Sequence, residues 1–477
     1  MERDFTVVFR VRPSLLDNPS PTGLVEAAST GELTINEPRT KLHTCAHEYT
    51  PHTFLADASY LATSTSDDIF RAHIAPLIPF VLTGGFATVL AYGQTGSGKT
   101  HTLSQCSRLA ISALVAANAD SCHMEVCAIE LYGKVQNDLL DASNTRVMVA
   151  ETLQASSTFA RATLRTVSSA DELLSHVEAA WTQRITRGTE KNPHSSRSHA
   201  LIRIICRSKL DANATPGVLQ LVDLAGSERA ADHSPAQAQA RMAETVAINT
   251  SLMTLKQCIR ARTSPAPSAN GAPPHIPFRS SKLTLALKEA FDLYARQPTH
   301  TVFIATASPD LVDQPATLNT LRYAAALVAA PHARIHLQPD PQGRNIFFWT
   351  PARLAEWILK YASPFITPAN IEALVQGQDG AAFARVPEQQ FYARFAHATA
   401  AGKLEGKAEA KAKEVYLKWW KLVIASRTIS QKALADEWKK RHAAKLAHEA
   451  EEEGRDAEVQ RLLGLEAVAR APEGVGA

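Results

Sequence analysis

A glycine-rich stretch near residue 93 carries the strongest chemical signal in the chain. From Gly93 to Thr100 it reads G-x-x-x-x-G-K-T, which is typical of a loop that binds a polyphosphate. Glycines let backbone N–H groups turn toward phosphates, and the positive end of a following helix adds to the attraction. Lys99 would reach the β- and γ-phosphates, and Thr100 would give its hydroxyl to Mg²⁺. The alternative is a glycine-rich turn that matches by chance.

Flanking patterns predict the elements that position this loop. An apolar run from Ala87 to Tyr92 predicts a buried strand, and a helix is predicted from Lys99 to Ala117. Strands alternate with helices up to about residue 328, which predicts a layered α/β fold. The other main strands are predicted at Phe5–Val11, Met124–Leu131, Ala200–Cys206, Val218–Val222 and Thr301–Ala307. The other main helices are predicted at Ser66–Leu82, Ala170–Arg187, Ala243–Ala261, Ser280–Phe291 and Pro315–Val328.

Two further motifs would sense a γ-phosphate. Asp223 ends a predicted strand, where an aspartate can hold the water shell of Mg²⁺, and Gly226 can approach a phosphate with its N–H. The stretch 192–199 reads N-P-H-S-S-R-S-H and offers two adjacent hydroxyls and a cation, at Ser195, Ser196 and Arg197. Each motif is weak alone, because D-x-x-G is common in loops and serine-rich turns are common on surfaces.

Together, these three motifs resemble the kinesin motor domain. Residues 92–102, Y-G-Q-T-G-S-G-K-T-H-T, match its phosphate loop, 192–199 match its switch I, and 223–228 match its switch II. Two further signatures are matched by 275–284 and 318–323. The resemblance covers about residues 3–330 and implies a phosphate-loop NTPase fold, with a central mixed sheet flanked by helices. Myosins have a different phosphate loop, and the Asn-Lys-x-Asp motif of small GTPases is absent.

The resemblance implies ATP and Mg²⁺ as cofactors. The implied nucleotide-binding residues are Arg10, Arg12, Pro13, Tyr92, Gly93, Gln94, Thr95, Gly96, Ser97, Gly98, Lys99, Thr100 and His101. Of these, Arg10 to Pro13 look like the adenine pocket, with His101 stacking from the other side. The implied metal contacts, partly through water, come from Thr100, Ser196 and Asp223.

It also implies catalytic roles. Ser195 would position the attacking water or relay its proton, and Gly226 would sense the γ-phosphate. Arg197 and Glu228 would form a salt bridge that closes both switches over the site of hydrolysis. The alternative for that pair is an ordinary surface contact, worth less than about 1 kcal/mol.

The resemblance further predicts microtubules as the partner. Lys256, Arg260, Arg279 and Lys282 lie where kinesins meet tubulin, whose surface is acidic. Between Glu151 and Arg165 the only basic residues are Arg161 and Arg165, so weak and salt-sensitive binding is expected. The alternative for each cation is a solvated helix surface.

Several stretches look most like the microtubule-depolymerising kinesin-13 class, including Glu130–Val135 and Leu255–Ala261. Two departures each remove an acidic residue, because the chain reads Lys-Leu-His at Lys41 and Lys-Gln-Cys at Lys256. No basic neck precedes the motor, which starts at residue 4, and the segment after Val328 lacks the neck-linker pattern of walking motors. These features predict a motor that does not walk processively and that depolymerises weakly.

The C-terminal third differs in composition. A linker is predicted at 331–344, a small all-α domain at 345–400, weakly similar to a sterile alpha motif, and a charged helical tail at 401–470. The alternative for 345–400 is a helical extension packed on the motor. This region is expected to offer a surface to a protein partner.

Composition and charge exclude several classes of function. In 477 residues the formal net charge is only +3, so charge does not suggest a nucleic-acid partner. No apolar run is long enough to span a bilayer, and the six scattered cysteines are typical of reduced thiols. A protein of the cytoplasm and the microtubule cytoskeleton is therefore expected. The competing function is a non-motile or non-catalytic microtubule-binding adaptor with the same fold.

Overall fold

The computed structural model describes most of the chain. The described residues are 4–16, 25–29, 31–40, 47–118, 121–133, 135–141, 146–151, 157–186, 197–211, 214–227, 238–263, 276–292, 297–328, 342–384, 386, 388–399, 405–426, 428–430, 432–433, 436 and 440. The chain forms two compact units, one from Met1–Ser264 with His275–Arg334, the other from Pro265–Pro274 with Ile335–Ala477. Among the described helices, none has the length and apolar character needed to cross a bilayer.

The strands and helices are as follows. The strands are β1 Phe5–Val11, β2 Val25–Ser29, β3 Glu32–Thr40, β4 His47–Leu55, β5 Ala58–Tyr60, β6 Phe86–Tyr92, β7 Cys122–Tyr132, β8 Val135–Asp138, β9 Met148–Glu151, β10 Ser157–Ala160, β11 Arg165–Val167, β12 His199–Ser208, β13 Gly217–Asp223 and β14 Thr299–Ala307. The helices of the first unit are α1 Ser66–Ile69, α2 Leu77–Leu82, α3 Lys99–Asn118, α4 Ala170–Thr186, α5 Ala238–Thr263, α6 Lys282–Ala286, α7 Lys288–Phe291 and α8 Gln314–Val328. Those of the second are α9 Pro351–Ala362, α10 Ile371–Val375, α11 Gly380–Phe383, α12 Glu388–Ala398 and a thirteenth, α13, at 406–426.

A central mixed sheet organises the first unit. In the described part of the chain it has nine strands in the order β11-β7-β12-β13-β6-β14-β1-β5, with β8 paired to β7. The strands around β6 are parallel, and β7, β8, β11 and β12 join by antiparallel pairing. Two apolar cores fill the two faces of this sheet, as helices on both sides require. The predicted α/β fold, a mixed sheet flanked by helices, is confirmed.

The middle strand places the glycine loop. All seven residues of β6 are buried, because it is covered on both faces, and this explains the continuous apolar run that predicted it. Its parallel neighbours β13 and β14 end at the same edge as β6. In open α/β sheets, ligands bind outside the carboxyl ends of such strands. The loop after β6 and the segment after β13 therefore meet at this edge.

Two parts of the first unit differ from the sequence prediction. The single helix predicted for Ser66–Leu82 is instead α1, a π-helical segment at Phe70–Ile74, and α2. The wide turn follows from a bond from Ala75 N–H to the Phe70 carbonyl, 2.8 Å, and Pro76 cannot donate the next helical bond. Residues 14–40 carry Pro, Gly, Ser and Asn with short strand signals, a composition that predicts a loop-rich edge. In the structure this region contributes β2 and β3 to a three-stranded antiparallel sheet with β4.

The described part of the second unit is helical, as its sequence predicts. Its core contains Ile346, Leu354, Ile358, Leu374, Phe383, Phe391 and Phe395. Helix α13, from the segment predicted to be a separate tail, adds Ala412, Val415, Trp419 and Val423 to the same core. The predicted linker, 331–344, lies mostly outside the described residues.

Candidate functional site

The glycine loop between β6 and α3 is packed tightly against the end of β14. A Cβ atom on Gly93 would collide with the carbonyl oxygen of Thr306, so only glycine fits there. Gly96 has a φ of 77°, a left-handed conformation that favours glycine. The hydroxyls of Ser97 and Thr306 lie 2.7 Å apart, which fixes the inner side of the loop. The loop is therefore held in a preformed shape by its neighbours.

Lys99 is the cation of this loop, and it is buried. Its Nζ donates to the carbonyl oxygens of Gly93, at 3.0 Å, and Gln94, at 2.7 Å. The ammonium group thus lies inside the loop, where the oxygens of a phosphate would compete with these carbonyls. The phosphate-binding role of Lys99 stays a prediction.

Asp223 lies at the end of β13 and is fully buried. The Thr100 hydroxyl donates to its Oδ2 at 2.6 Å. Its Oδ1 is buried and accepts no hydrogen bond from any residue that the structure describes. Mg²⁺ prefers carboxylate and hydroxyl oxygens, so a buried carboxylate oxygen without a partner beside Thr100 fits this ion.

A residue missed by the sequence analysis, Arg184, also contacts Asp223. Its Nη1 pairs with Asp223 Oδ2, and the two side chains are only 1% and 0% exposed. Its Nη2 donates to the Ser198 carbonyl at 2.7 Å, and its Nε to the Ser198 hydroxyl at 3.2 Å. Arg184 therefore neutralises the buried carboxylate and ties it to the end of the switch I motif.

The signal for Arg184 was present in the sequence. Leu173, Val177 and Trp181 form one apolar face of α4, and Arg184 continues that face at helical spacing. An arginine on a buried face must find an acidic or carbonyl partner, because a buried unpaired charge is costly. The apolar pattern of α4 does not show that this partner is Asp223 on β13.

His199 joins three segments of the site. Its Nδ1 accepts from the Ala225 N–H at 3.0 Å, so Nε2 carries the proton and donates to the Ser251 hydroxyl at 2.8 Å. Burial, with smaller contributions from the positive charges of Arg184 and Lys99, lowers the pKa of His199 to about 3. The imidazole is therefore neutral near pH 7 and connects β12, the loop after β13 and helix α5.

The loop after β13 is bonded directly to the glycine loop. Ser227 N–H donates to the Gly93 carbonyl at 3.0 Å, and Gly226, just before it, is buried. A movement of the loop after β13 would therefore break this hydrogen bond or displace the glycine loop. Ser195, Ser196 and Glu228 lie outside the described residues, and Arg197 is half-buried.

Two of the residues predicted for the adenine side, Arg10 and Arg12, have different contacts. Arg12 Nε donates to the Gly96 carbonyl at 2.8 Å, and its Nη2 pairs with the buried Asp310 at 2.8 Å. Arg10 instead donates to the Ser66 hydroxyl at 2.6 Å, and its burial lowers the pKa of the guanidinium. The structure thus brings Arg12, followed by Pro13, to the glycine loop.

The other predicted nucleotide residues occupy the loop and the first turn of α3. His101 is exposed, with its Nε2 3.1 Å from the Gln105 amide nitrogen. Tyr92, Gln94 and Ser97 are buried, Thr95 and Gly96 are exposed, and Gly98 is half-buried.

Two of the cations predicted to face tubulin flank one aromatic ring. Lys256 Nζ lies 4.3 Å from the centre of the Tyr323 ring, and Arg260 Nη2 donates to its hydroxyl at 2.9 Å. A cation over an aromatic face is stabilised by the ring quadrupole. Tyr323 therefore orients both cations, a role that sequence analysis did not assign to it.

Comparison with known proteins gives consistent matches. A model of the kinesin motor domain matches residues 10–329. The curated protein "Diatom spindle kinesin-1" of Cylindrotheca fusiformis is 36% identical over 279 residues, which are 58% of this chain and 42% of that protein. The chain therefore spans less than half the length of this relative.

Solved structures match over the same region. The motor domain of the Kar3-like kinesin from Ashbya gossypii is 28% identical, with a TM-score of 0.53, and the match covers 68% of this chain and 99% of that one. A KIF14 dimer with AMP-PNP, in complex with a microtubule, is 28% identical, with a TM-score of 0.58, over 69% of this chain and 95% of that one.

Proposed function

This chain belongs to the kinesin motor-domain family, and on that basis we propose that it is an ATPase that binds microtubules and couples hydrolysis to this binding. The observation that carries the proposal is the arrangement at the edge of the sheet, where Thr100 meets Asp223 and Lys99 lies inside the glycine loop. We further propose that it works in the cytoplasm, on the microtubule cytoskeleton.

Four residues of this chain would have separate roles in phosphoryl transfer. Lys99 would exchange its two carbonyl contacts for oxygens of the β- and γ-phosphates. Thr100 and Asp223 would hold Mg²⁺, which when bound neutralises developing charge on those oxygens. Arg184 would orient Asp223 and offset its charge, since it pairs with the carboxylate in a buried site. Such a site acts mainly by positioning and by charge stabilisation.

Glu228→Ala is expected to retain nucleotide binding and to lose turnover, by about 10²-fold or more, because the switch motifs would no longer close. Steady-state ATP hydrolysis with and without microtubules measures turnover, and a fluorescent nucleotide measures binding. Arg197→Ala is expected to show the same pattern, since it is the proposed partner of Glu228. Near-normal turnover in either variant would contradict the salt-bridge role.

The same assay separates the motor from a non-catalytic adaptor. The sparse basic residues between Glu151 and Arg165 are the feature that favours the adaptor. Microtubule binding without any ATP turnover by the unmodified protein would establish the adaptor. Turnover that microtubules stimulate would exclude it.

We also propose that this motor is most similar to kinesin-13 but depolymerises weakly and does not walk. The proposal rests on the kinesin-13-like stretches together with the altered sequences at Lys41 and Lys256, and on the segment after Val328. For the second unit, weak similarity to a sterile alpha motif and binding of a protein partner remain proposals. Two apolar side chains on α13, Leu417 and Ile424, are exposed there, at 59% and 50%.

Purified protein mixed with ATP and stabilised microtubules is expected to give little end shortening and no long directed runs. Microscopy of filament length and of single labelled molecules measures both. Fast shortening at substoichiometric protein would contradict the weak depolymerase, and long directed runs would contradict the absence of walking.

A further inference from the structure

One acidic residue lies among the basic residues of the predicted tubulin-binding face. Arg279, in a 3₁₀ turn before α6, is 82% exposed, and its Nε and Nη2 both donate to Glu151 Oε2, at 2.9 and 2.7 Å. The other oxygen of Glu151 accepts from Lys288 Nζ at 2.6 Å. One carboxylate thus binds two cations, of which the exposed one faces solvent.

The carboxylate is held in place by the hairpin formed by β9 and β10. Across that hairpin Glu151 is paired with Ser157, whose hydroxyl donates to the buried Glu289 at 2.6 Å. Arg203 of the central sheet donates to the Ser157 carbonyl at 2.9 Å and stacks on Phe159, 3.9 Å from the ring centre. Strand β10, which pairs with Glu151, is therefore anchored in the interior through Ser157 and Phe159.

A third cation contacts the same hairpin. Lys282 Nζ donates to the Val149 carbonyl at 3.1 Å. The next five residues after Glu151, positions 152–156, carry no charged side chain in the sequence. Nothing in that stretch of sequence therefore offsets the negative charge of Glu151.

Glu151 is ionised over the physiological range. Burial alone would raise the pKa of its carboxyl, but hydrogen bonds from Lys288 and Arg279 outweigh burial and hold the pKa below its ordinary value. Its side chain is 18% exposed, which screens it less than a fully exposed group. The negative charge is therefore present whenever the face meets a partner.

We propose that Glu151 is an acidic clamp that withholds Arg279 from tubulin and so weakens microtubule binding by this chain. The inference rests on the proposed microtubule-binding function. An acidic partner must compete with Glu151 for the guanidinium, because both present carboxylates to the same N–H groups. The negative charge of Glu151 also reduces the net positive charge of the face that this partner approaches by one unit.

The test compares Glu151→Gln with a matched control. Glutamine keeps the size of the side chain and removes its charge. Glu125→Gln makes the same change at a carboxylate of equal exposure, 18%, which pairs with Arg207 on the strands β7 and β12. Co-sedimentation with stabilised microtubules gives the dissociation constant of each protein at several salt concentrations.

Glu151→Gln is expected to bind microtubules about two- to fivefold more tightly than the unmodified protein, with a steeper salt dependence. Glu125→Gln is expected to match the unmodified protein. Arg279→Gln should weaken binding more in the Glu151→Gln background than in the unmodified one, since only there is Arg279 released. Lys288 retains Asp292, at 3.8 Å, as a second acidic neighbour in the variant.

Unchanged or weaker binding by Glu151→Gln, with circular dichroism showing the fold intact, would overturn the clamp. Loss of that fold would shift the test to Arg279→Gln alone, and a loss of affinity as large as that of Lys256→Gln would overturn the clamp, since an arginine withheld by Glu151 should contribute little to binding. Absence of binding by every protein, the unmodified one included, would refute the proposed function as well. The two failures are therefore distinct.

Discussion

Lys99→Ala is expected to abolish ATP hydrolysis, with a fall in turnover of about 10³-fold or more. The lysine ammonium is buried in the loop, within 3.0 Å of the Gly93 carbonyl, where no exposed cation can replace it. Alanine removes the charge that would stabilise the transferring phosphate. Steady-state phosphate release with and without microtubules measures the effect.

The matched control lies on the same helix. Arg108 of α3 is exposed and pairs with Glu178 at 2.8 Å, so Arg108→Ala removes a cation from α3 without touching the loop. Its turnover is expected to stay within about twofold of the unmodified protein. Equal turnover by Lys99→Ala and Arg108→Ala would contradict the assignment of the loop as the nucleotide site.

Arg184→Ala is expected to lower the free energy of unfolding of the first unit by about 3–5 kcal/mol. The arginine and Asp223 are both buried, so its removal leaves a carboxylate in the interior without its cation. Native-state hydrogen exchange of the β12 and β13 amides, read by mass spectrometry, isolates the first unit from the helical one.

Arg207→Ala serves as the comparison for Arg184. Its ion pair with Glu125, at 2.8 Å, is partly exposed, and its loss is expected to cost less than about 1 kcal/mol. The unfolding cost of Arg184→Ala should shrink in a second variant that also carries Asp223→Asn, because the uncompensated charge is then gone. Equal costs with and without Asp223→Asn would show that Arg184 acts through packing rather than charge.

Patterns within a short stretch of sequence predicted the centre of the fold and the loop. The apolar run at Ala87–Tyr92 predicted a buried strand, and β6 extends it by one residue, to Phe86. Glycines at fixed spacing indicate a particular backbone conformation. Gly93 and Gly96 therefore predicted the loop without any knowledge of which residues surround it.

What sequence could not supply were contacts between distant segments. Glu151 and Arg279 are 128 residues apart, and neither shows by its neighbours that it has a partner. The break within Ser66–Leu82 was missed for another reason, because Pro76 interrupts the helix but the apolar residues around it keep helical spacing. For β3 the sequence showed short strand signals and no defined strand, because prolines and polar residues hide the alternation of Leu33 and Ile35.

The contribution of α13 to the helical core has a practical consequence for shortened versions of this chain. Trp419 lies with its ring centre 5.5 Å from that of Trp357 and 5.3 Å from that of Phe383. A fragment that stops at residue 400 would lose Trp419 and Val423, leaving aromatic surface open to water and to other copies. A fragment that ends after residue 426 keeps that surface covered, so soluble expression of the helical unit should depend on residues 401–426.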